Sequence, residues 1–292
     1  MSFFQTNRFT ARSRRKIGSG ISASVELCES KTRGFLFVVK TYHGKEVQES
    51  KKEYHERVLE EYMVLSKLSH PNIVEVYKYK ISLTGSIVSV YMEAGLTDFR
   101  QLMKSKSKFD IETLLSFWFQ LCDAIKYLHY TVNLCHRDLK LDNLILCDHV
   151  LKVIDFGAAT STKELAVGLV GTEAYVSPEM YSSIRYDGMK ADIWSIGILL
   201  YYFLMGKFPW KLANHSDKDF ENRPTFLLTK EECITQGLKH DQTSFLLLLQ
   251  DMLESNPSKR ISILDFSRYK WFETGPESIL STNPESYPVP KS

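Results

Sequence analysis

A chain of 292 residues, 43% hydrophobic and 25% charged, has apolar material for a sizeable core, and one or two domains is the expected count. Its ordinary composition excludes wholesale disorder; a net charge of +2 by itself argues neither for nor against nucleic acid, no strongly basic face is visible, and no nucleic acid partner is expected. Five cysteines (28, 122, 135, 147 and 233) lack zinc or disulfide spacing, so reduced thiols in the cytoplasm, with the nucleus as an alternative, are expected.

Residues 1–13 read as a flexible leader; Met1 to Lys16 carries charge and no long apolar core, so no signal peptide is expected. The basic run Arg12, Arg14, Arg15, Lys16 reads as a solvated edge rather than a docking signal. Ile17, Gly18, Ser19, Gly20, Ile21 and then Val25 suggest a strand, a tight turn and a returning strand. Such a turn brings backbone N–H groups close to phosphate oxygens. A G-x-G pair alone is a weak signal, and Ala23 stands at the third glycine position.

Phe35 to Tyr42 reads as a strand buried on both faces and containing Lys40, a charge that is costly there unless paired. A helix is expected over about 48–68. On it Glu61 shares the apolar face with Val58, Leu65 and Leu68, whereas Glu60 lies with Glu56 on the wet side. Ile73 to Tyr79 and Ile87 to Met92 continue as strands, giving an antiparallel sheet with one helix up to about residue 92.

From Asp98 the periodicity turns helical, with Asp98 suited to cap the next helix and an apolar helix over 113–129. Short strands over 143–147 and 150–154 present Asn143 and Asp155. The loop from Cys135 to Asn143 then holds a proton acceptor, Asp138, a cation, Lys140, and an oxygen ligand, Asn143; twelve residues later Asp155 opens Asp155-Phe156-Gly157. Asp138 is placed to accept a hydroxyl proton, Lys140 to steady a migrating phosphoryl group, and Asn143 with Asp155 to hold Mg²⁺. The most apolar stretch, Ile193 to Met205, is too short to span a bilayer, so no membrane insertion is expected.

The order His136-Arg137-Asp138-Leu139-Lys140 through Asn143, followed by Asp155-Phe156-Gly157, resembles the catalytic and magnesium loops of eukaryotic protein kinases. Gly171 to Glu179 resembles the peptide-positioning segment, with Ser177 in place of Ala. Asp192 to Gly197 resembles the central helix, whose Asp anchors the catalytic loop, and Arg260 would be the buried partner of Glu179. These last motifs separate protein kinases from small-molecule kinases of similar fold.

The resemblance implies an α+β, two-lobed fold: a kinase domain over 14–273, with a small antiparallel β-sheet lobe (14–93) and a larger mainly helical lobe (96–273), then a flexible tail (274–292). It implies transfer of the γ-phosphate of MgATP to protein serine or threonine, because Lys140 and Thr172 match the serine/threonine type. Asp138 would be the base and Lys40, paired with Glu61, would grip the α- and β-phosphates. ATP would also be held by Ile17, Gly18, Ser19, Gly20, Ile21, Val25, Val38, Met92, Glu93, Gly95, Asp98 and Ile145, with the adenine edge at Glu93 and Gly95 and the ribose at Asp98.

Val38 departs from the usual Ala against the adenine. Asp142 and Asp98 suggest a preference for basic side chains N-terminal to the acceptor, whereas Tyr202 replaces an acidic residue common in basophilic kinases. Gly168 and Val167 occupy the usual activation-loop phosphate position, so dependence on loop phosphorylation is not expected, with Glu164 or no charge near Arg137. Tyr186-Asp187-Gly188 and Gly206 to Lys211 resemble the fungal nitrogen-permease-reactivator and halotolerance kinases, which implies control of plasma-membrane transporters. The rival reading is a pseudokinase, a nucleotide-dependent interaction module; Lys40, Asp138 and Asp155 speak against it.

Overall fold

The structure, a computed structural model, describes residues 9–19, 23–32, 34–43, 49–95, 97–105, 109–221, 242–270 and 272. Gly20, Ile21 and the tail expected over 274–292 lie outside the described residues. The chain divides into two compact units between Leu96 and Thr97, just past the boundary expected at 93–96.

The first unit is a five-stranded antiparallel sheet with one helix. Its strands are β1 (Ala11–Ser19), β2 (Ala23–Ser30), β3 (Leu36–His43), β4 (Val76–Ile81) and β5 (Ile87–Glu93), in the order β1-β2-β3-β5-β4. β1 begins inside the expected leader, and Phe9 packs 5.1 Å from the Tyr77 ring and within 6.0 Å of Phe35, Phe37 and Tyr91. The leader expected over 1–13 is therefore too long: an aromatic side chain with a ring cluster to enter is more stable ordered than solvated. The basic run lies on β1, an edge strand, where exposed Arg14 meets Glu26 at 3.1 Å. Charge on a sheet edge discourages pairing with other chains.

The two faces of the sheet hold separate clusters. Cys28, Phe37 and Val39 join the Phe9 rings on one face, while Ala23, Tyr42, Val88 and Val90 pack against Tyr54 and Val58 of helix α1 (Lys51–Leu65) on the other. α1 starts later than the periodicity suggests because Ser50 and Glu53 close a capping box, with Ser50 Oγ accepting the Glu53 N–H and the Glu53 carboxylate accepting that of Ser50.

The second unit is mainly helical. It begins with β6 (Thr97–Asp98), α2 (Phe99–Lys104), α3 (Ile111–Tyr130) and β7 (Leu134–Cys135). A 3₁₀ turn (Leu141–Asn143) precedes β8 (Leu144–Cys147) and β9 (Val150–Val153), so Asn143 sits on a turn and not on the strand expected there. β10 (Thr160–Ser161) pairs with β7; β11 (Ala166–Val167) pairs with β12 (Arg185–Tyr186), and α4 (Pro178–Ser182) lies between them in sequence. α5 (Gly188–Met205), α6 (Lys218–Glu221) and α7 (Gln242–Met252) complete the described helices.

α5 is buried on almost every face, which is why its sequence is apolar all round. The buried Trp118 indole of α3 donates to Ile196 O at 2.9 Å, and Leu253 comes so close to Gly197 that a Cβ there would sit 3.0 Å away. No helix among the described residues is long and apolar enough to cross a membrane.

Arg260, 1% exposed, ties this unit together: it forks onto Glu179 at 2.6 and 2.9 Å, donates to Lys190 O and Glu254 O, and lies over the Trp194 ring. Removing one partner of a buried pair strands the other charge. Arg260→Ala is therefore expected to cost about 3–5 kcal/mol of stability. Urea unfolding followed by tryptophan fluorescence checks this; a loss under 1 kcal/mol would contradict the role given to the pair.

Candidate active site

In the first unit, the β-sheet register aligns the expected nucleotide residues in two rows. Gly18 faces Val25, Val25 faces Lys40 and Lys40 faces Val90; Leu27 faces Val38, and Val38 faces Met92. Residues two apart on a strand share a face, so Val38 and Lys40 project together, as do Val25 and Leu27. Ile17 is exposed, Ser19 ends β1, and Ala23 points into the core with Tyr42. Glu93 donates its N–H to Glu75 O at 2.9 Å and accepts the Glu75 N–H on its carboxylate, which squares off the end of β5; Gly95 is half-buried.

Lys40 Nζ meets both oxygens of Glu61, at 3.1 and 3.0 Å, while Glu60 stays exposed. The helical face decides which glutamate turns inward. A third member was not apparent from the sequence: the Tyr42 hydroxyl donates to Glu61 Oε2, and Lys40 Nζ lies 5.1 Å from the Tyr42 ring centroid. Burial first, and then the Glu61 charge, push the Tyr42 hydroxyl above its ordinary pKa, so it remains a donor. Tyr42 is itself fixed, because the Tyr54 hydroxyl donates to Tyr42 O and accepts the Val88 N–H. A strand tyrosine two residues from a lysine shares its face; that was the available signal.

In the second unit the catalytic loop has almost no regular structure and is held by the wholly buried Asp192 of α5. Its carboxylate accepts the N–H groups of His136 (2.8 Å) and Arg137 (2.7 Å) and meets His129 Nε2 at 2.9 Å. Arg137 is thereby kept at φ +69°, a left-handed conformation that β-carbons disfavour. The His136 tautomer follows from its partners: Nδ1 lies 3.3 Å from the Asp138 N–H and accepts it, so Nε2 carries the proton toward Ile154 O at 3.1 Å. The His136 ring also packs 4.8 Å from Phe156, which joins this loop to the one carrying Asp155 (φ +64°).

Asp138 Oδ2 accepts from Lys140 Nζ at 2.7 Å and Asn143 Nδ2 at 3.0 Å, and Asn143 Nδ2 also bonds Asp138 O. Asp138 Oδ1 is buried with no hydrogen-bond partner. Gly171, at φ +96°, lies against it: a Cβ there would stand 3.4 Å from Oδ1 and 3.3 Å from Arg137 O. The structure thus brings Asp138, Lys140 and Asn143 together around one carboxylate. Asn143 O accepts the Ile154 N–H at 2.9 Å, which carries the contact to the residue before Asp155.

Asp98 caps α2, with its carboxylate accepting Gln101 N at 2.8 Å and Gln101 Nε2 at 2.6 Å, and faces Ile145 across β6 and β8. Arg137 Nη2 donates to Val167 O at 3.0 Å and its guanidinium lies 5.7 Å from the Tyr186 ring; Glu164 is exposed, and no ion pair joins it to Arg137 among the described residues. Ser177, in the segment expected to position a peptide, is buried with its hydroxyl unpaired.

A family model described as "Protein kinase domain" matches residues 11–272. The chain is 32% identical over 284 residues to the probable serine/threonine-protein kinase RTK1 of Saccharomyces cerevisiae, covering 90% of this chain and 44% of that one. It is 33% identical over 213 residues to the nitrogen permease reactivator protein of the same yeast (70% and 26% covered), and 30% identical over 264 residues to the serine/threonine-protein kinase SAPK1 of Oryza sativa (88% and 74%). The chain spans less than half the length of the two yeast proteins.

The Tyr42 contact carries its own test. Tyr42→Phe removes a partly buried hydrogen bond to a charged group, expected to cost about 1.5–3 kcal/mol, read as a lower urea midpoint. An unchanged midpoint would mean that the hydroxyl adds nothing to the Lys40–Glu61 pair.

Proposed function

The chain belongs to the protein kinase family, and from that premise we propose that it transfers the γ-phosphate of MgATP to serine or threonine hydroxyls of proteins. The observation that carries this reading is the pair of preformed charge clusters, Lys40–Glu61–Tyr42 in one unit and Asp138–Lys140–Asn143 in the other. Phosphoryl transfer needs positioned charge more than covalent help from the protein.

The donors present suit a hard cation and a nucleotide. Asn143 commits its amide nitrogen to Asp138, which leaves the oxygen end for a metal, and Asp155 adds a carboxylate; oxygen ligands in small number are what Mg²⁺ takes from protein. Bound there, magnesium would neutralise phosphate charge. Lys40, oriented by Glu61 and Tyr42, would bind the α- and β-phosphates. The substrate hydroxyl would hydrogen-bond the unpaired Asp138 Oδ1. As its oxygen bonds the γ-phosphorus and the bond to the ADP oxygen breaks, Asp138 takes the proton, and Lys140 offsets the charge on the moving group. A side chain at Gly171 would crowd that oxygen, since its Cβ would stand 3.4 Å from Oδ1.

Loop phosphate is dispensable in this reading. Arg137, the cation such a phosphate would engage, already has the Val167 carbonyl and the Tyr186 ring, and the Tyr186 hydroxyl donates to Gly168 O at 3.1 Å. Those contacts and the β11–β12 pairing support a loop that needs no added charge. Likeness to a protein named for reactivating a nitrogen permease makes membrane permeases, or proteins acting on them, the first substrate class to test.

Phosphatase-treated protein is expected to transfer phosphate from MgATP to a degenerate serine/threonine peptide library, and Asp138→Asn to lose at least about a hundredfold. Absence of transfer by the wild type would return the chain to the pseudokinase reading. In the same assay Tyr186→Ala should lower kcat by about tenfold, equivalent to roughly 1.4 kcal/mol; an unchanged kcat would remove Tyr186 from the account of the loop.

A further inference from the structure

Asp142 lies on the same 3₁₀ turn as Asn143, whose amide holds Asp138. A substrate hydroxyl placed at Asp138 therefore carries its neighbouring side chains past this turn, because extended peptide advances only about 3.3–3.6 Å per residue. An open carboxylate here would attract lysine or arginine. This one is occupied: Arg100 Nε of α2 donates to Asp142 Oδ1 at 2.6 Å. Burial works to raise the Asp142 carboxyl, but the Arg100 hydrogen bond and charge outweigh it and hold the group below the ordinary carboxylate range.

The remaining surroundings point the same way. Asp98, the other acid on this stretch, has both oxygens bonded by Gln101. Tyr175 and Tyr202 lie near enough to feel the Arg100 charge, Phe208 packs 5.1 Å from Tyr175 and 4.7 Å from Tyr202, and Lys140 adds positive charge beside Asp142. The Arg100 and Asp142 side chains remain 33% and 41% exposed, so the pair is reachable by a peptide yet neutral as a unit.

We infer that Arg100 is a specificity-determining residue: an internal cation that fills Asp142, an acid beside the acceptor site, and turns the enzyme toward substrates with uncharged, apolar side chains there. A substrate arginine must compete with Arg100 for Asp142 and meets like charge in doing so. Exposed ion pairs are worth about 0.2–1 kcal/mol, so freeing Asp142 should change selectivity roughly 1.4- to 5-fold.

The inference rests on the transfer activity proposed above, so its test includes an arm that needs no transfer. Two peptides would be used, identical except for arginine or norleucine two and three residues before the acceptor serine. For wild type the ratio of kcat/KM (arginine over norleucine) is expected at or below one. Arg100→Gln should raise it roughly 1.4- to 5-fold, Asp142→Asn alone should lower it, and the double variant should return it toward the wild-type value. A ratio unmoved by Arg100→Gln, or a wild type already favouring arginine, overturns the inference. Fluorescence anisotropy of the same labelled peptides gives the ratio of affinities, which should shift the same way. If no protein transfers phosphate, the activity proposal fails, while the affinity ratio still upholds or overturns the role of Arg100.

Discussion

Much of the second unit depends on one carboxylate. Asp192 is wholly buried, a position that would be costly for a lone charge, and it is satisfied by two backbone N–H groups and a histidine. Those contacts attach a loop with little secondary structure to a helix that forms the centre of the core. They hold Arg137 in its left-handed conformation and so fix the direction in which the next residue, Asp138, leaves the chain. The precision of the loop thus derives from the rigidity of α5, which in turn rests on Trp118, on the close approach of Leu253 to Gly197, and on the Arg260 network.

Within each unit, several charged groups share a second trait: they have internal counterparts before any ligand arrives. Glu61 has Lys40 and Tyr42, Asp138 has Lys140 and Asn143, Arg137 has a carbonyl and a ring, and Asp142 has Arg100. Prepaired groups need little reorganisation when substrate binds. The contrast lies in what is left over. Asp138 retains one buried oxygen without a partner, whereas the Arg100–Asp142 pair is neutral as a unit.

The parts of this arrangement that were legible in the sequence are those set by local period or short spacing. Helical periodicity alone selects Glu61 over Glu60, and it is Glu61 that Lys40 meets. The spacing of Asp138, Lys140 and Asn143 within one loop likewise makes their convergence visible. Arg100 and Asp142 are 42 residues apart on a short helix and a turn, and no periodicity links them. Nor does any pattern announce that the Arg137 guanidinium ends on the Val167 carbonyl, 30 residues on. Helix ends were misjudged where side chains rather than apolar period decide them, as the Ser50–Glu53 capping box shows. The unpaired Ser177 hydroxyl was visible only as a departure from Ala, with no account of its surroundings.

Phe9 bears on where the folding unit begins. Its ring touches four others contributed by β3, β4, β5 and the approach to β3, so it acts as a keystone for one face of a small sheet. Aromatic pairs are worth about 0.5–1.5 kcal/mol each beyond the area they bury. A small unit has only a few kcal/mol in hand. A recombinant fragment cut at Arg14, the boundary expected from the sequence motifs, would discard this ring and the first rungs of β1. It would leave Phe37, Tyr77 and Tyr91 more open to water on one face of the sheet, an invitation to aggregate. Soluble expression is better served by a start upstream of Phe9.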